Sequence, residues 1–301
     1  MHPRRFTQLD VFADHPLQGN ALAVVLDGEG ISDAAMLDFA RWTNLSETTF
    51  LLPPTAEGAA AGADYRVRIF TPAGELAFAG HPTLGSCQAW LDAGGTPRQS
   101  QVVVQECAKG LVTIARVAAA DSPGSEGLAF AAPPLQRSDV PASLQAQVLA
   151  ALQLQADDLI AAQWLDNGSR WMGLLMRHID SLPRAQPNAA ALRALGVKAG
   201  LCAIHPQGSS AGSNAEPVLE VRGITQAAHG IAEDPATGSL NASLAQWLSA
   251  AGHIALPYRV QQGAAIGRAG RMRLVADSAD AGGQIWVQGQ VHSVVTGQVV
   301  L

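Results

Sequence analysis

The sequence predicts a mixed α+β chain of two similar lobes with its chemistry in the cleft between them, and three observations lead there. The chain has 301 residues, which at roughly 100–200 residues per domain favours two domains. Short strand-like runs of period two alternate with helical stretches of period 3.6 along its length. One stretch of the first half also recurs in the second. His81-Pro82-Thr83-Leu84-Gly85-Ser86 precedes a helix closing on Trp90-Leu91-Asp92-Ala93-Gly94. Asp234-Pro235-Ala236-Thr237-Gly238-Ser239 precedes a longer helix closing on Trp247-Leu248-Ser249-Ala250-Ala251-Gly252. Duplication of one lobe explains this echo better than chance likeness between two Ala/Gly-rich helices. The expected division is 1–120 for the N-terminal lobe and 121–290 for the C-terminal lobe, with a final strand near 291–301 packing back onto the first.

In chain order, Arg5–Phe12 and Ala21–Leu26 read as strands joined through Pro16 and Gly19-Asn20. Ser32 caps a helix from Asp33 to Thr43 with Met36, Phe39 and Ala40 on one face, and Asn44 is its left-handed stop. Thr48–Leu52 is a strand, and Asp64–Phe70 alternates as a half-buried one. A helix follows over Thr83–Asp92, then strands at Val102–Glu106 and Leu111–Arg116, and a linker at Ala118–Gly127. The second half has helices over Ser143–Leu152, Ala189–Leu195 and Thr237–Ala250. Its strands are expected at Trp171–Met176, Leu201–His205, Val218–Arg222, Arg271–Val275, Ile285–Gln288 and Val291–Val300.

Composition limits the function. Hydrophobic residues are 48% and charged residues 15% of the chain, enough apolar material for a core and wrong for a disordered chain. A net charge of −6 without a run of Lys or Arg leaves no electrostatic footprint for nucleic acid or an anionic membrane. Three cysteines without CxxC spacing suit a reducing compartment. The N-terminus lacks an apolar stretch before Asp10 and Asp14, and no run approaches the ~20 apolar residues of a membrane span. A cytoplasmic protein with a small-molecule partner is expected.

The two echoed helix starts point to that partner. A helix N-terminus presents unpaired N–H groups and partial positive charge. Glycine there admits a ligand to the backbone, and proline fits the first turn. Two such ends across a cleft would bind a small carboxylate; the same Gly-Ser pattern also serves as an ordinary cap.

Four segments carry a family resemblance. They are Leu9-Asp10-Val11-Phe12 through Gly19-Asn20-Ala21-Leu22-Ala23-Val24-Val25; Asn44-Leu45-Ser46-Glu47-Thr48-Thr49-Phe50; Arg68-Ile69-Phe70-Thr71-Pro72 through Glu75 to Ala79-Gly80-His81-Pro82-Thr83-Leu84-Gly85; and Gly230-Ile231-Ala232-Glu233-Asp234-Pro235-Ala236-Thr237-Gly238-Ser239. In sequence and order they resemble the PhzF family of phenazine biosynthesis-like proteins. The resemblance implies a diaminopimelate-epimerase-like α+β fold: two pseudo-symmetric lobes, each with a barrel-like sheet around a central helix. It also implies a homodimer that uses no metal or organic cofactor. The characterised phenazine enzyme of the family is an isomerase of a dihydro-hydroxyanthranilate, in which one glutamate carries a proton between ring carbons. The matching residue here is Glu47, and the family's other polar site residues match His81, Asp234 and Ser239. Two departures border that pocket: Leu240-Asn241-Ala242 stands where many members have Ala-His-Cys, and Ile224-Thr225-Gln226 where Phe-x-Pro is frequent.

Residue chemistry fits these roles while leaving alternatives open. A proton shift needs one group that removes a proton and returns it elsewhere, which a partly buried carboxylate can do. Glu47 is such a group, or a structural carboxylate bonding nearby N–H groups. His81, beside Gly80, donates to a substrate carboxylate, assists proton transfer, or simply sits at a helix start. Asp234 holds a substrate amine or hydroxyl, orients His81, or caps a helix. Ser239 bonds a carboxylate alongside the Gly238 backbone or is a plain first-turn serine. Glu75, Glu233 and Asn20 read as scaffold holding loops by backbone hydrogen bonds.

Gly208-Ser209-Ser210-Ala211-Gly212 fits the nucleophile-elbow pattern but has no clear helix after it. The Gly263, Gly267 and Gly270 stretch has neither dinucleotide-binding spacing nor a P-loop lysine, and the eight histidines show no paired metal spacing. Two competing functions remain. An amino-acid racemase on this fold would use two opposed cysteines, yet the helix starts carry Ala79 and Pro235. A homologue that binds small molecules without catalysis is the other.

Overall fold

The computed structural model describes residues 2–118, 126–206, 217–227, 230–277 and 283–301. The Gly208–Gly212 pattern and most of the expected linker lie outside the described residues. In chain order the elements are β1 (Pro3–Val11), β2 (Asn20–Val25), α1 (Asp33–Thr43), β3 (Thr48–Leu52), α2 (Ala56–Ala60), β4 (Tyr65–Thr71), β5 (Gly74–Leu76), α3 (Gly80–Asp92), β6 (Val102–Cys107), β7 (Gly110–Ala118) and β8 (Glu126–Ala131). They continue with β9 (Gln136–Asp139), α4 (Ala142–Ala151), β10 (Leu159–Asp166), β11 (Arg170–Met176), α5 (Ser181–Arg184), α6 (Ala189–Leu195), β12 (Ala199–Ile204), β13 (Leu219–Ala227), β14 (Gly230–Asp234), α7 (Gly238–Ala250), β15 (Tyr258–Gln262), β16 (Gly270–Ala276), β17 (Ile285–Gly289) and β18 (Val291–Val300). Two compact units result: Met1–Ala131 with Gln288–Leu301, and Ala132–Val287. Among the described residues, no helix is long and apolar enough to cross a membrane.

In the first unit the strands run β18-β1-β2-β3-β4-β6-β7-β8, with β5 folded back on β4. The β2–β3 and β4–β6 pairs are parallel and the others antiparallel. This sheet wraps α3, which is buried continuously from Gly80 to Cys87. Small residues on the helix make the enclosure possible. A Cβ on Gly85 would come 2.5 Å from Leu22 Cδ2 and 3.0 Å from Val11 Cγ2, so strands β1 and β2 lie closer than any side chain at 85 allows. A buried hydroxyl pair, Ser86 Oγ donating to Thr49 Oγ1 at 2.9 Å, ties α3 to β3. On the other side of the sheet α1 lays Met36, Phe39 and Ala40 against Val25, Phe50 and Phe70. Both its termini form as the sequence predicts. Ser32 Oγ accepts from Ala35 N, and Asn44 ends the helix at φ 54° and ψ 27°.

The second unit repeats the plan. Its strands run β9-β10-β11-β12-β13-β15-β16, with β14 folded back on β13. Parallel pairing again falls at the second-to-third strand step (β11–β12) and at the crossover past the short hairpin strand (β13–β15), counting from β10 as the counterpart of β1. Helix α7 takes the place of α3 and buries Leu240, Ala242, Leu244, Ala245, Trp247 and Leu248. A second apolar cluster gathers Val148 and Leu149 of α4, Leu182 of α5, Leu192 of α6 and the outward faces of β11 and β12.

The close approach of helix and sheet gives a test. Gly85→Ala is expected to destabilise the protein by about 1–3 kcal/mol, because backbone and branched side chains must shift to admit one methyl. Thermal or denaturant unfolding measures this; an unchanged midpoint would show that α3 is packed less tightly than described.

Candidate active site

Three segments of the first unit converge at the start of α3. The first is the entry to β2. Asp10 is buried, and its Oδ2 accepts from the backbone N–H groups of Gln18 and Gly19, both at 2.9 Å, which closes the loop between β1 and β2 and fixes Asn20 opposite Val11. The second is the link from α1 to β3. The left-handed Asn44 reverses the chain, and Thr48, bonded through its hydroxyl to Thr43 at 2.8 Å, starts the strand beside Ala23. Glu47 is the residue just before that anchored start. The third is the first turn of α3, where Thr83 donates from both its N–H and its hydroxyl to Ala79 O. That turn carries Gly80 and His81, and its first position, Ala79, supplies no side-chain cap.

These anchors bring the Glu47 and His81 side chains together. His81 Nε2 lies 3.3 Å from Glu47 Oε2, with the two side chains 5% and 16% exposed. On the far side of the ring, Asn20 Nδ2 is 3.4 Å from His81 Nδ1, and both residues are buried. Burial pushes the imidazole down to about 3, so the ring is neutral at physiological pH. With the Asn20 amide nitrogen against Nδ1, that atom accepts and the ring proton resides on Nε2, facing Glu47. The carboxylate therefore has an uncharged ring beside it, with Nε2 and Oε2 3.3 Å apart but not aligned as a hydrogen bond.

The second unit gathers the other residues singled out in the sequence at the start of α7. Thr237 precedes the helix and gives no side-chain cap to its first turn, so Gly238 and Ser239 open it. Asn167 Nδ2 donates to Ser239 O at 2.9 Å. Thr237 Oγ1 donates to Asp234 Oδ2 at 2.7 Å. Two acidic residues read as loop holders bond guanidinium groups rather than backbone N–H. Glu75 makes a two-point pair with Arg68 (2.7 and 2.8 Å), and Glu233 makes a buried one with Arg222 (2.7 and 3.1 Å). A bidentate arginine satisfies both carboxylate oxygens at once, which scattered backbone donors do not.

Sequence reasoning missed three contributors. Asn20 was assigned to scaffold, although an amide heading the otherwise apolar run Ala21–Val25 is itself a signal. Thr237 and Gln262 were not singled out, and their partners are set by strand pairing rather than by local pattern. The cysteines, by contrast, stand apart from the chemistry. Cys87, Cys107 and Cys202 are all buried, and burial pushes each thiol up. Thiols that resist ionisation suit packing, not proton abstraction. Among the described residues, no group of three His, Cys, Asp or Glu side chains is placed to hold a metal ion.

The neutral histidine makes stability pH-dependent in a definite direction. Its folded pKa lies below the ordinary value near 6.5, so the unfolded chain binds a proton that the folded chain refuses. Stability is then unaffected above about pH 6.5 and falls as pH drops towards 3, at up to about 1.4 kcal/mol per unit from this group. His81→Gln is expected to flatten that part of the pH–stability curve; an unchanged slope would place the proton elsewhere.

The model of the phenazine biosynthesis-like protein family (PhzC-PhzF) matches residues 9–297. The trans-2,3-dihydro-3-hydroxyanthranilate isomerase of Pseudomonas aeruginosa is 33% identical over 279 residues, 91% of each chain. Antisense-enhancing sequence 1 of Schizosaccharomyces pombe is 46% identical over 114 residues, a stretch covering 38% of this chain and 37% of that protein. Among crystal structures, a Bacillus anthracis phenazine biosynthesis protein of the PhzF family superposes with a TM-score of 0.83 over the full length of both chains at 20% identity, a likeness of fold.

Proposed function

Because the chain belongs to the phenazine biosynthesis-like (PhzF) family, we propose that it moves a proton on a small carboxylated substrate, amino-acid-like or cyclic, with Glu47 as both acid and base. The protein is an isomerase, as its relatives of similar length are. The observation that carries the finer reading is the contact between Glu47 and the uncharged His81 ring. A proton carrier must be able to hold the proton and to give it up. A cation beside Glu47 would keep it ionised; an uncharged ring leaves its protonated form within reach.

In this reading Glu47 removes a proton from a carbon made acidic by conjugation and returns it to another carbon of the same substrate. The neutral His81 ring lies beside the carboxylate without adding charge, and Asn20 keeps the ring proton on Nε2. The N–H groups of Gly80 and of Gly238, with the Ser239 hydroxyl, are read as donors to substrate oxygens, and Asp234 as the acceptor for its amine or hydroxyl. The carboxylate does the work without a cofactor, and the working form is a cytoplasmic homodimer that acts on no nucleic acid. A two-thiol racemase mechanism finds no support in the buried, proton-retaining cysteines.

Incubation in D₂O with trans-2,3-dihydro-3-hydroxyanthranilate and a panel of small cyclic and α-amino acids tests this, with deuterium at carbon followed by NMR. Uptake is expected with at least one compound, and Glu47→Gln is expected to slow it by at least about 10²–10⁴-fold. Undiminished uptake in Glu47→Gln would remove Glu47 from the chemistry. Saturable binding without uptake for any compound would favour a carrier of small molecules.

A further inference from the structure

Gln262, the last residue of β15, is fully buried and uses every hydrogen-bonding position of its amide. Its Oε1 accepts from Thr237 N at 3.1 Å and from Asn241 Nδ2 at 2.8 Å. Its Nε2 donates to Asp234 O and to Thr237 Oγ1, both at 2.7 Å. The amide cannot be turned over, because its nitrogen would then face two donors. Since Nε2 can only donate, the Thr237 oxygen accepts from it, and the hydroxyl proton is directed to the remaining partner, Asp234 Oδ2. One buried amide thus sets the direction of a hydrogen bond that ends on the Asp234 carboxylate.

The surrounding backbone is shaped to hold this arrangement. A Cβ on Gly223 of β13 would lie 2.8 Å from Thr237 Oγ1 and 3.0 Å from Gln262 Nε2. A Cβ on Gly270 of β16 would lie 2.8 Å from Pro235 O. Parallel pairing of β13 with β15 sets Val221 opposite Gln262, and antiparallel pairing of β13 with β14 sets Gly223 opposite Asp234. Strand register, absent side chains and a saturated amide all converge on the same carboxylate. The buried Arg222–Glu233 pair holds the neighbouring residue of β14.

We propose that Gln262 is a positioning residue for the substrate-binding carboxylate of Asp234, acting through the Thr237 hydroxyl. The inference rests on the reading of Asp234 as the acceptor for a substrate amine or hydroxyl. One oxygen of that carboxylate is committed to Thr237, so its plane is fixed before substrate arrives and no rotamer need be frozen on binding. Substrate affinity is then the quantity that depends on Gln262, more than the rate of the proton shift at Glu47.

The test uses steady-state kinetics of the full chain with trans-2,3-dihydro-3-hydroxyanthranilate. Thr237→Val, nearly equal in volume but without the hydroxyl, is expected to raise KM about tenfold with kcat changed less than about threefold, and Thr237→Ser to recover most of that loss. Gln262→Glu, which removes the donor facing Thr237, should match Thr237→Val wherever its thermal melt shows it folded. In an Asp234→Ala background Thr237→Val should add less than about twofold. A full further loss there, or a fall confined to kcat, overturns the proposal. If the unaltered protein turns over nothing, the proposed function fails separately. Crystal structures of the unaltered protein and Thr237→Val then decide this inference: a single Asp234 conformer that spreads in the variant supports it, and equal order in both overturns it.

Discussion

A helix enclosed by a sheet along its length can offer its polar groups only at its ends, and this constraint organises both units. The flanks of α3 and α7 are spent on packing, with Leu84, Cys87 and Ala89 inside one sheet and Leu240, Leu244 and Leu248 inside the other. Backbone N–H groups of the first turn have no carbonyl four residues back to bond. In each unit the residue before the helix leaves that turn without a side-chain cap. Chemistry therefore collects where the helix emerges. His81 belongs to the first turn of α3, while Glu47 and Asn20 reach it from strand ends anchored by Asp10, Thr48 and Ser86.

Burial then decides what that chemistry can be. An exposed histidine beside a glutamate would titrate in the physiological range and form an ion pair. Enclosed by the sheet, His81 is held neutral, and Asn20 leaves it one tautomer. The pair becomes a carboxylate beside a fixed, uncharged ring. The second unit reaches a similar end by other means: a buried amide, Gln262, aligns a hydroxyl that aligns Asp234. Topology is shared between the units, but the groups at the two helix starts differ, which is what duplication followed by division of labour would leave.

Much of this was legible because it is local. The α1 caps, Ser32 and Asn44, and strand β3 at Thr48–Leu52 follow from residues adjacent in sequence. The echo of His81–Ser86 in Asp234–Ser239 pointed to the repeat seen in the shared strand order, but only Gly238-Ser239 open a helix; Gly85-Ser86 lie inside α3, where Gly85 meets β1 and β2 and Ser86 bonds Thr49. The start of α3 was expected at Thr83 but lies at Gly80, since Gly-His-Pro reads as a break although proline is tolerated in a first turn. Strands β10 and β15 were not expected, because Leu159–Asp166 and Tyr258–Gln262 mix polar and apolar residues and gain their order from neighbours. Gln262 was invisible for the same reason: its partners lie 21–28 residues away and meet it only through strand register.

The central claim, that one carboxyl both takes and returns the proton, is tested most directly by following the hydrogen itself. Substrate carrying deuterium at the carbon that loses its proton would be converted in ordinary water in a single turnover, and the receiving carbon of the product examined by NMR. A measurable share of the label at that carbon, absent when Glu47 is replaced by glutamine, is the result this account predicts. Label reaching that carbon undiminished in Glu47→Gln would show that another group carries the proton, and would contradict it.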